Sequence, residues 1–354
     1  GSSSRPSQVA TLTNNGELNI YAEDFYVADS WVYNNANASM NFNNTNMTIY
    51  DPNTNDGNDY AHNGNAGHVI NAGKVSMVNS GLTVHGRFAQ LKNIAGASWV
   101  IDNSSSAVQR TILFEAAELY HGANDFVSLE CGSSFQVKNS DVRVEYVGNV
   151  TGSGENEPVR MGGDLIVEDG NLSFHRYSGQ GGGTITVEQQ CGGVFLYDRD
   201  NSGDGILTVY SSNSSTNFNI EGTLYTMGFV EEGGSGATMN IKDGGFAFIG
   251  DMGATLSGYS WNYKININSG GILHYCGNRT AAADNIGINQ GELYYAENFY
   301  LSDDPVNQGD FSNLSLATYE ALYETLEACM AAYTGTSAEL LPIELTMLYG
   351  VCAE

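Results

Sequence analysis

The sharpest local motif in the chain is Asp198-Arg-Asp200-Asn-Ser202-Gly203-Asp204-Gly205. Oxygens at alternate positions, then glycine at the sixth, match the first half of an EF-hand-type calcium loop, where a tight turn converges carboxylate and hydroxyl oxygens on one hard cation. Calcium is therefore the cofactor to weigh, with Asp198, Asp200, Ser202 and Asp204 as its ligands. Val209 occupies the twelfth place, where such a loop supplies a bidentate Glu, so the segment reads equally as a corner turn that holds no metal. A second tract, Asp51-Pro-Asn53-Thr-Asn55-Asp56-Gly57, has its glycine one position late.

Catalytic signatures are sparse. His62, His68, His85, His121, His175 and His274 form no HxH or HExxH pair, and no GxSxG elbow is present. Elimination chemistry on a uronate needs a base beside cations that neutralise the acid group, yet the basic residues are scattered along the chain. Hydrolysis of the polygalacturonase kind would call for several Asp near a Gly-His and an Arg-x-Lys; His121-Gly122 and Asp303-Asp304 occur, and Arg-x-Lys does not. Carboxylate pairs contributed by separate turns of the chain would leave no linear trace. Cys131, Cys191, Cys276, Cys329 and Cys352 include no CxxC, which argues against a zinc ribbon or dithiol site, and their odd number leaves at least one thiol unpaired within the chain.

The elements that must position these residues are announced by a repeat. Val167-Glu-Asp-Gly170-Asn-Leu172-Ser-Phe174, Cys191-Gly-Gly193-Val-Phe195-Leu-Tyr197, Ile220-Glu-Gly222-Thr-Leu224-Tyr-Thr226, Ile241-Lys-Asp-Gly244-Gly-Phe246-Ala-Phe248, Ile267-Asn-Ser-Gly-Gly271-Ile-Leu273-His-Tyr275 and Ile288-Asn-Gln-Gly291-Glu-Leu293-Tyr-Tyr295 each read as a short strand, a glycine turn and a second short strand. From Gly170 to Gly291 their mean spacing is about 24 residues. Short strands at such a period, punctuated by Gly, Asn and Asp, predict a β-solenoid whose coils stack at about 4.8 Å. Anchored on the glycines, the alternation predicts two inward columns: Leu172, Phe195, Leu224, Phe246, Leu273, Leu293, and Phe174, Tyr197, Thr226, Phe248, Tyr275, Tyr295. Between them Ser173, Leu196, Tyr225, Ala247, His274 and Tyr294 are expected to face outward. Tyr225, His274 and Tyr294 then form a strip on which sugar faces could stack, a candidate ligand site.

The composition fits this architecture. There are 43 Gly and 38 Asn but 5 Pro, and Asn suits corners because it tolerates left-handed backbone and bonds its own turn. Thirteen basic residues against 40 acidic ones leave a net charge of −27, which repels polyphosphates and excludes nucleic-acid binding. The 41% apolar content, with 21 Tyr and 14 Phe, argues against disorder. No apolar run is long enough for a membrane span, and the N-terminus carries no apolar signal region, so an exported form is expected to have had its signal removed. The architecture expected is all-β: a single-stranded right-handed parallel β-helix of ten or eleven coils over residues 1–305. A capping or packing helix over 306–336 follows, with Tyr319, Leu322, Tyr323, Leu326, Met330 and Tyr333 on one face. Residues 337–354 should form a strand-like junction.

That junction contains Leu341-Pro342-Ile343-Glu344-Leu345, which resembles the segment leading into immunoglobulin-like or fibronectin-like modules and a type IX secretion sorting domain in large exported proteins of Bacteroidetes. The repeat style is similar to the parallel β-helix surface proteins of the same group. The resemblance implies an extracellular or cell-surface location and further domains in the same polypeptide, while the outward aromatic strip points to a glycan or cell-surface partner. Parallel β-helices also host polysaccharide lyases and hydrolases. The expected function is accordingly a non-catalytic, structural, adhesin-like module, the alternative being a carbohydrate-binding or carbohydrate-active protein.

Overall fold

The computed structural model describes residues 10–50, 66–85, 89–106, 110, 112–116, 127–147, 157–177, 185–189, 191–198, 204–211, 216–232, 236–251, 263–275, 286–296 and 310–314. These residues are all-β: thirty strands, of which eleven form one sheet and nineteen another, every pairing parallel. The chain visits three lanes in a fixed order. The first is the eleven-stranded sheet, from Ala10–Asn14 to Ile286–Asn289. The second lane begins with Glu17–Ile20 and the third with Asp24–Ala28, and both belong to the larger sheet. Strand triplets stack on one another as far as Thr216–Ile220 and the long Thr223–Glu232, which serves the second and third lanes, and the described strands beyond stack as first- and second-lane pairs, a repeated parallel architecture consistent with a β-solenoid.

Alternation explains why these segments become strands. In Gly81–His85, Leu82 and Val84 are fully buried while Gly81, Thr83 and His85 are half-buried; Ser98–Asp102 repeats the pattern with Trp99 and Ile101 inside. Inward residues of all three lanes, such as Leu91 of the first, Val137 of the second and Val144 of the third, join one continuous core. Such a core removes the β-branched and aromatic side chains from water while the next coil satisfies each strand's backbone.

The corners explain the surplus of Asn and Gly. Among the described residues, the six non-glycine residues with left-handed backbone are all Asn or Asp: Asp29, Asn37, Asn44, Asn79, Asn139 and Asp169. Where the first lane turns into the second, Asn14, Asn34, Asn71 and Asn93 stack as a buried amide ladder. Each side-chain NH2 donates to the next carboxamide oxygen at 2.7–2.8 Å, as far as Asn93, and each also donates to a backbone carbonyl in the following coil. In later coils this column becomes Leu129, Met161, Gln189, Ile220, Ile241 and Ile267 before returning to Asn289.

The same corner carries a disulfide between Cys131 and Cys191, 60 residues apart, whose Cα atoms are 5.6 Å from each other. The two cysteines belong to coils separated by an intervening one. They can meet because the intervening corner is only Gly162-Gly163, between Met161 and Asp164, whereas four residues separate Leu129 from Ser134. A Cβ on Gly162 would lie 3.0 Å from the Leu129 carbonyl and 3.3 Å from the Cys131 sulfur, and one on Gly163 would lie under 3 Å from the Glu130 and Ser133 carbonyls. Dispersed cysteines without a linear motif thus conceal a staple across three coils.

Register corrects the glycine-anchored columns. Thr223 pairs with Gly193 and with Phe246, so the equivalent corner glycines are Gly192, Gly222, Gly245, Gly271 and Gly291. Gly193 and Gly244 are each one residue out, and Gly170 belongs to the corner between the second and third lanes, where its carbonyl accepts the Gly205 N–H. The inward column is Val194, Leu224, Ala247, Leu273 and Leu293; Leu196 and Ala247, expected outside, lie in the core. Phe195 and Phe248, expected inside, stand on the outer face with Tyr225. That outer face is itself closed to solvent over four coils: Ile166, Phe195, Tyr225 and Phe248 are at most 3% exposed, although none belongs to the inner core. In earlier coils the same column holds half-buried Ser76, Val100 and Gln136.

At the C-terminal end, Asp310–Leu314, within the segment expected to hold the helix, is a strand that pairs with Glu292–Ala296 and prolongs the second lane past residue 305. The remainder of the expected helix, and the Leu341–Leu345 junction, lie outside the described residues.

Candidate functional site

Five consecutive strands of the third lane, Gly81–His85, Ile112–Ala116, Val142–Val147, Leu172–Tyr177 and Ile206–Ser211, place their chemistry in one line. In each, two buried apolar residues alternate with outward ones, Leu82 and Val84 being matched by Ile112 and Phe114, Val142 and Val144, Leu172 and Phe174, Leu207 and Val209. The residue after the second apolar position is outward by alternation. In register these residues are His85, Glu115, Glu145, His175 and Tyr210. The neighbouring outward column contributes Arg143, flanked by Leu113 and Ser173.

Two imidazoles, two carboxylates, a guanidinium and a phenol therefore converge on a stretch of about 19 Å, four coil spacings of about 4.8 Å. They interact. His85 Nδ1 lies 3.1 Å from Glu115 Oε1, and Arg143 pairs with Glu145 on its own strand. The His175 ring stacks on Tyr210 with centroids 5.6 Å apart and planes 22° from parallel. Burial, seconded by the Arg143 charge, pushes the His175 pKa down to about 4, so its imidazole is neutral near pH 7. Although all these residues face outward, the carboxylates are the sheltered ones: the Glu145 side chain is 13% exposed and that of Glu115 22%, against 37% for His85. Tyr50 precedes His85 in the column and meets Tyr26 edge-on at 6.2 Å.

The column runs along the corner at which the chain carries its long connections. Ten, nine, seven and four residues separate the third-lane strands that end at Ala116, Val147, Tyr177 and Ser211 from the following first-lane strands. Among the described strands, the corner from first to second lane never exceeds four. In stacked-repeat proteins, insertions gathered on one side commonly mark the binding side.

The residues singled out from sequence fall elsewhere. Asp198 is buried, and its Oδ2 accepts the Asp204 N–H at 3.2 Å. Asp204 Oδ1 accepts from Asn171 Nδ2 at 2.8 Å, and that amide also reaches Asp141 Oδ1 at 3.3 Å. These carboxylates belong to a corner ladder, while Asp200 and Ser202 lie outside the described residues. Among the described residues no cluster of His, Cys, Asp or Glu is arranged to hold a metal ion. Tyr225, His274 and Tyr294 do share one column by backbone register, with Phe248 between the first two. Tyr225 is 2% exposed and stacked on Phe248 at 5.0 Å, so its ring is turned to protein and not to solvent. On the first lane, Trp31 stacks with His68 at 4.0 Å and with Tyr33 at 5.8 Å, a second outward aromatic group.

The third-lane column escapes a search for linear motifs, but a signal existed. Leu82-Thr-Val84-His85, Ile112-Leu-Phe114-Glu115, Val142-Arg-Val144-Glu145 and Leu172-Ser-Phe174-His175 recur at intervals of 30 residues. That period differs from the shorter one further along the chain, on which the glycine anchors rest. No family model, no curated protein and no solved structure matches the chain.

Proposed function

We propose that this chain is a right-handed parallel β-helix serving as a non-catalytic, adhesin-like module of a longer protein displayed outside the cell. The observation that carries this reading is the uninterrupted parallel pairing of eleven first-lane strands, which makes a stiff rod with side chains presented along its length. Right-handedness follows from the rule for parallel crossovers. The Cys131–Cys191 bridge supports an oxidising compartment, since such bonds persist in secreted and surface proteins. A coat of 27 net negative charges keeps neighbouring copies apart. Treating intact cells of the source organism with a membrane-impermeant biotin reagent should label the chain; labelling that appears only after lysis overturns the reading.

A second reading, carbohydrate binding or carbohydrate chemistry on one long face, is favoured by the third-lane column. It supplies what the linear sequence lacks, a guanidinium and a neutral imidazole beside two carboxylates.

A further inference from the structure

We infer that the column His85–Glu115–Glu145–His175–Tyr210, with Arg143 beside it, is a binding site for an uncharged, hydroxyl-rich glycan lying along the solenoid axis. The inference rests on the carbohydrate reading above and specifies its site and ligand class.

Three observations lead there. The first is continuity: five successive coils contribute one polar or aromatic side chain each, in strict register, so the site has a linear repeat suited to a polymer and not to a compact metabolite. The second is shelter. Outward side chains on a flat sheet are normally wet, yet the two carboxylates, Glu145 and Glu115, retain only 13% and 22% of their exposure between the more open His85 and Arg143, and the column borders the corner with the longest connections.

The third observation is charge. Glu145 is matched by the Arg143 charge, so it is not left as an open counter-ion for a basic ligand, and Glu115 already has the His85 imidazole as a polar neighbour at 3.1 Å. A polyanion would have to approach through the field of a chain with net charge −27. An uncharged ligand avoids both costs. A carboxylate in an ion pair keeps further lone pairs that accept hydroxyl hydrogens, and Ser173 and Thr208 in the next column add hydroxyls that donate or accept. Tyr210 and His175 offer an apolar ring surface beside these acceptors, the combination that pyranose rings use, with hydroxyls at the edge and C–H groups on the face.

Affinity electrophoresis of the full chain provides the test, using native gels that contain galactomannan, xyloglucan, mannan or dextran, and parallel gels with alginate or polygalacturonate. Retardation is expected with at least one uncharged polymer and with neither anionic one. Tyr210→Ala and Glu115→Ala should each weaken retention about tenfold while melting within a few degrees of the parent. Trp31→Ala, on the other aromatic group, should bind as the parent does. Equal or stronger retardation by the anionic polymers overturns the ligand class. Retention unchanged in both column variants, or lost in Trp31→Ala, overturns the site while leaving carbohydrate binding standing. No retardation by any polymer removes the carbohydrate reading itself, and the inference with it.

Discussion

Replacing Cys131 and Cys191 by serine removes the one covalent link between non-adjacent coils seen among the described residues. The bridge closes a loop of 60 residues, and a chain-entropy treatment of a loop that size gives about 4 kcal/mol of stabilisation. Because stacked repeats exchange energy mainly with their neighbours, the loss falls on the three repeats between Leu129 and Thr223 and not evenly on the chain. With a slope of roughly 2 to 3 kcal/mol per molar urea, the unfolding midpoint should drop by about 1.5 to 2 M. Equilibrium urea titration followed by far-ultraviolet circular dichroism measures this, with the oxidised parent, the reduced parent and the double variant run side by side. Reduction and double substitution should coincide, and Cys131→Ser alone should match the double variant within about 0.5 kcal/mol, since either change opens the same loop. Superimposable midpoints for oxidised parent and double variant would refute the reasoning, as would full alkylation of Cys131 in folded, unreduced protein.

Asn71→Ala should destabilise by roughly 3 kcal/mol in the same titration, because it strips a buried amide that donates to Asn93 and the Ser98 carbonyl and accepts from Asn34 and the Gly73 N–H. Asp164 is buried, its pKa raised to about 6 by desolvation against the opposing Gly193 N–H bond. The folded state holds that proton more tightly than the unfolded one. The associated stability is present below about pH 4 and lost as pH rises through about 6, so Asp164→Asn should gain about 2 kcal/mol at pH 7 and almost nothing at pH 4. His175 has the opposite sign, for its pKa is depressed to about 4. Stability should fall as pH drops from about 6.5 to about 4, by about 1 to 2 kcal/mol once partial solvent screening is allowed for, and His175→Gln should flatten that limb of a pH series of melting curves. Measuring it in the Asp164→Asn background separates the two slopes.

Much of the fold was legible because it is local. Leu-x-Val and Ile-x-Phe alternation marks the strands, and Asn or Gly at the corners marks left-handed turns. Repetition at twenty to thirty residues marks stacking. Columns were harder. Taking Gly193 and Gly244 as anchors displaced two repeats by one residue, and a displacement of one sends every side chain of a strand to the opposite face, which is why Phe195 and Phe248 were expected in the core and Leu196 and Ala247 outside. Double glycines, Gly192-Gly193 and Gly244-Gly245, give no local sign of which member sits at the corner; the hydrogen bonds from Thr223 to Gly192 and from Ile272 to Gly245 decide it.

The candidate site shows the same division. Its residue types are visible in the sequence, Arg143 and Glu145 as isolated polar residues of one short strand and His175 of another. The alternation around each already assigned it to an outer face. The sequence alone thus determined the class of structure, the sign of the surface and the in-or-out sense of most strand positions, all of which follow from side-chain chemistry and near-neighbour geometry. Only the tertiary structure decided which residue stacks on which. That depends on how many residues each corner spends between lanes, two at Gly162-Gly163 against four before Ser134, and on pairing between strands about 30 residues apart. Those lengths bring Cys131 to Cys191 across a shortened coil, align His85, Glu115, Glu145, His175 and Tyr210, and turn Tyr225 toward protein.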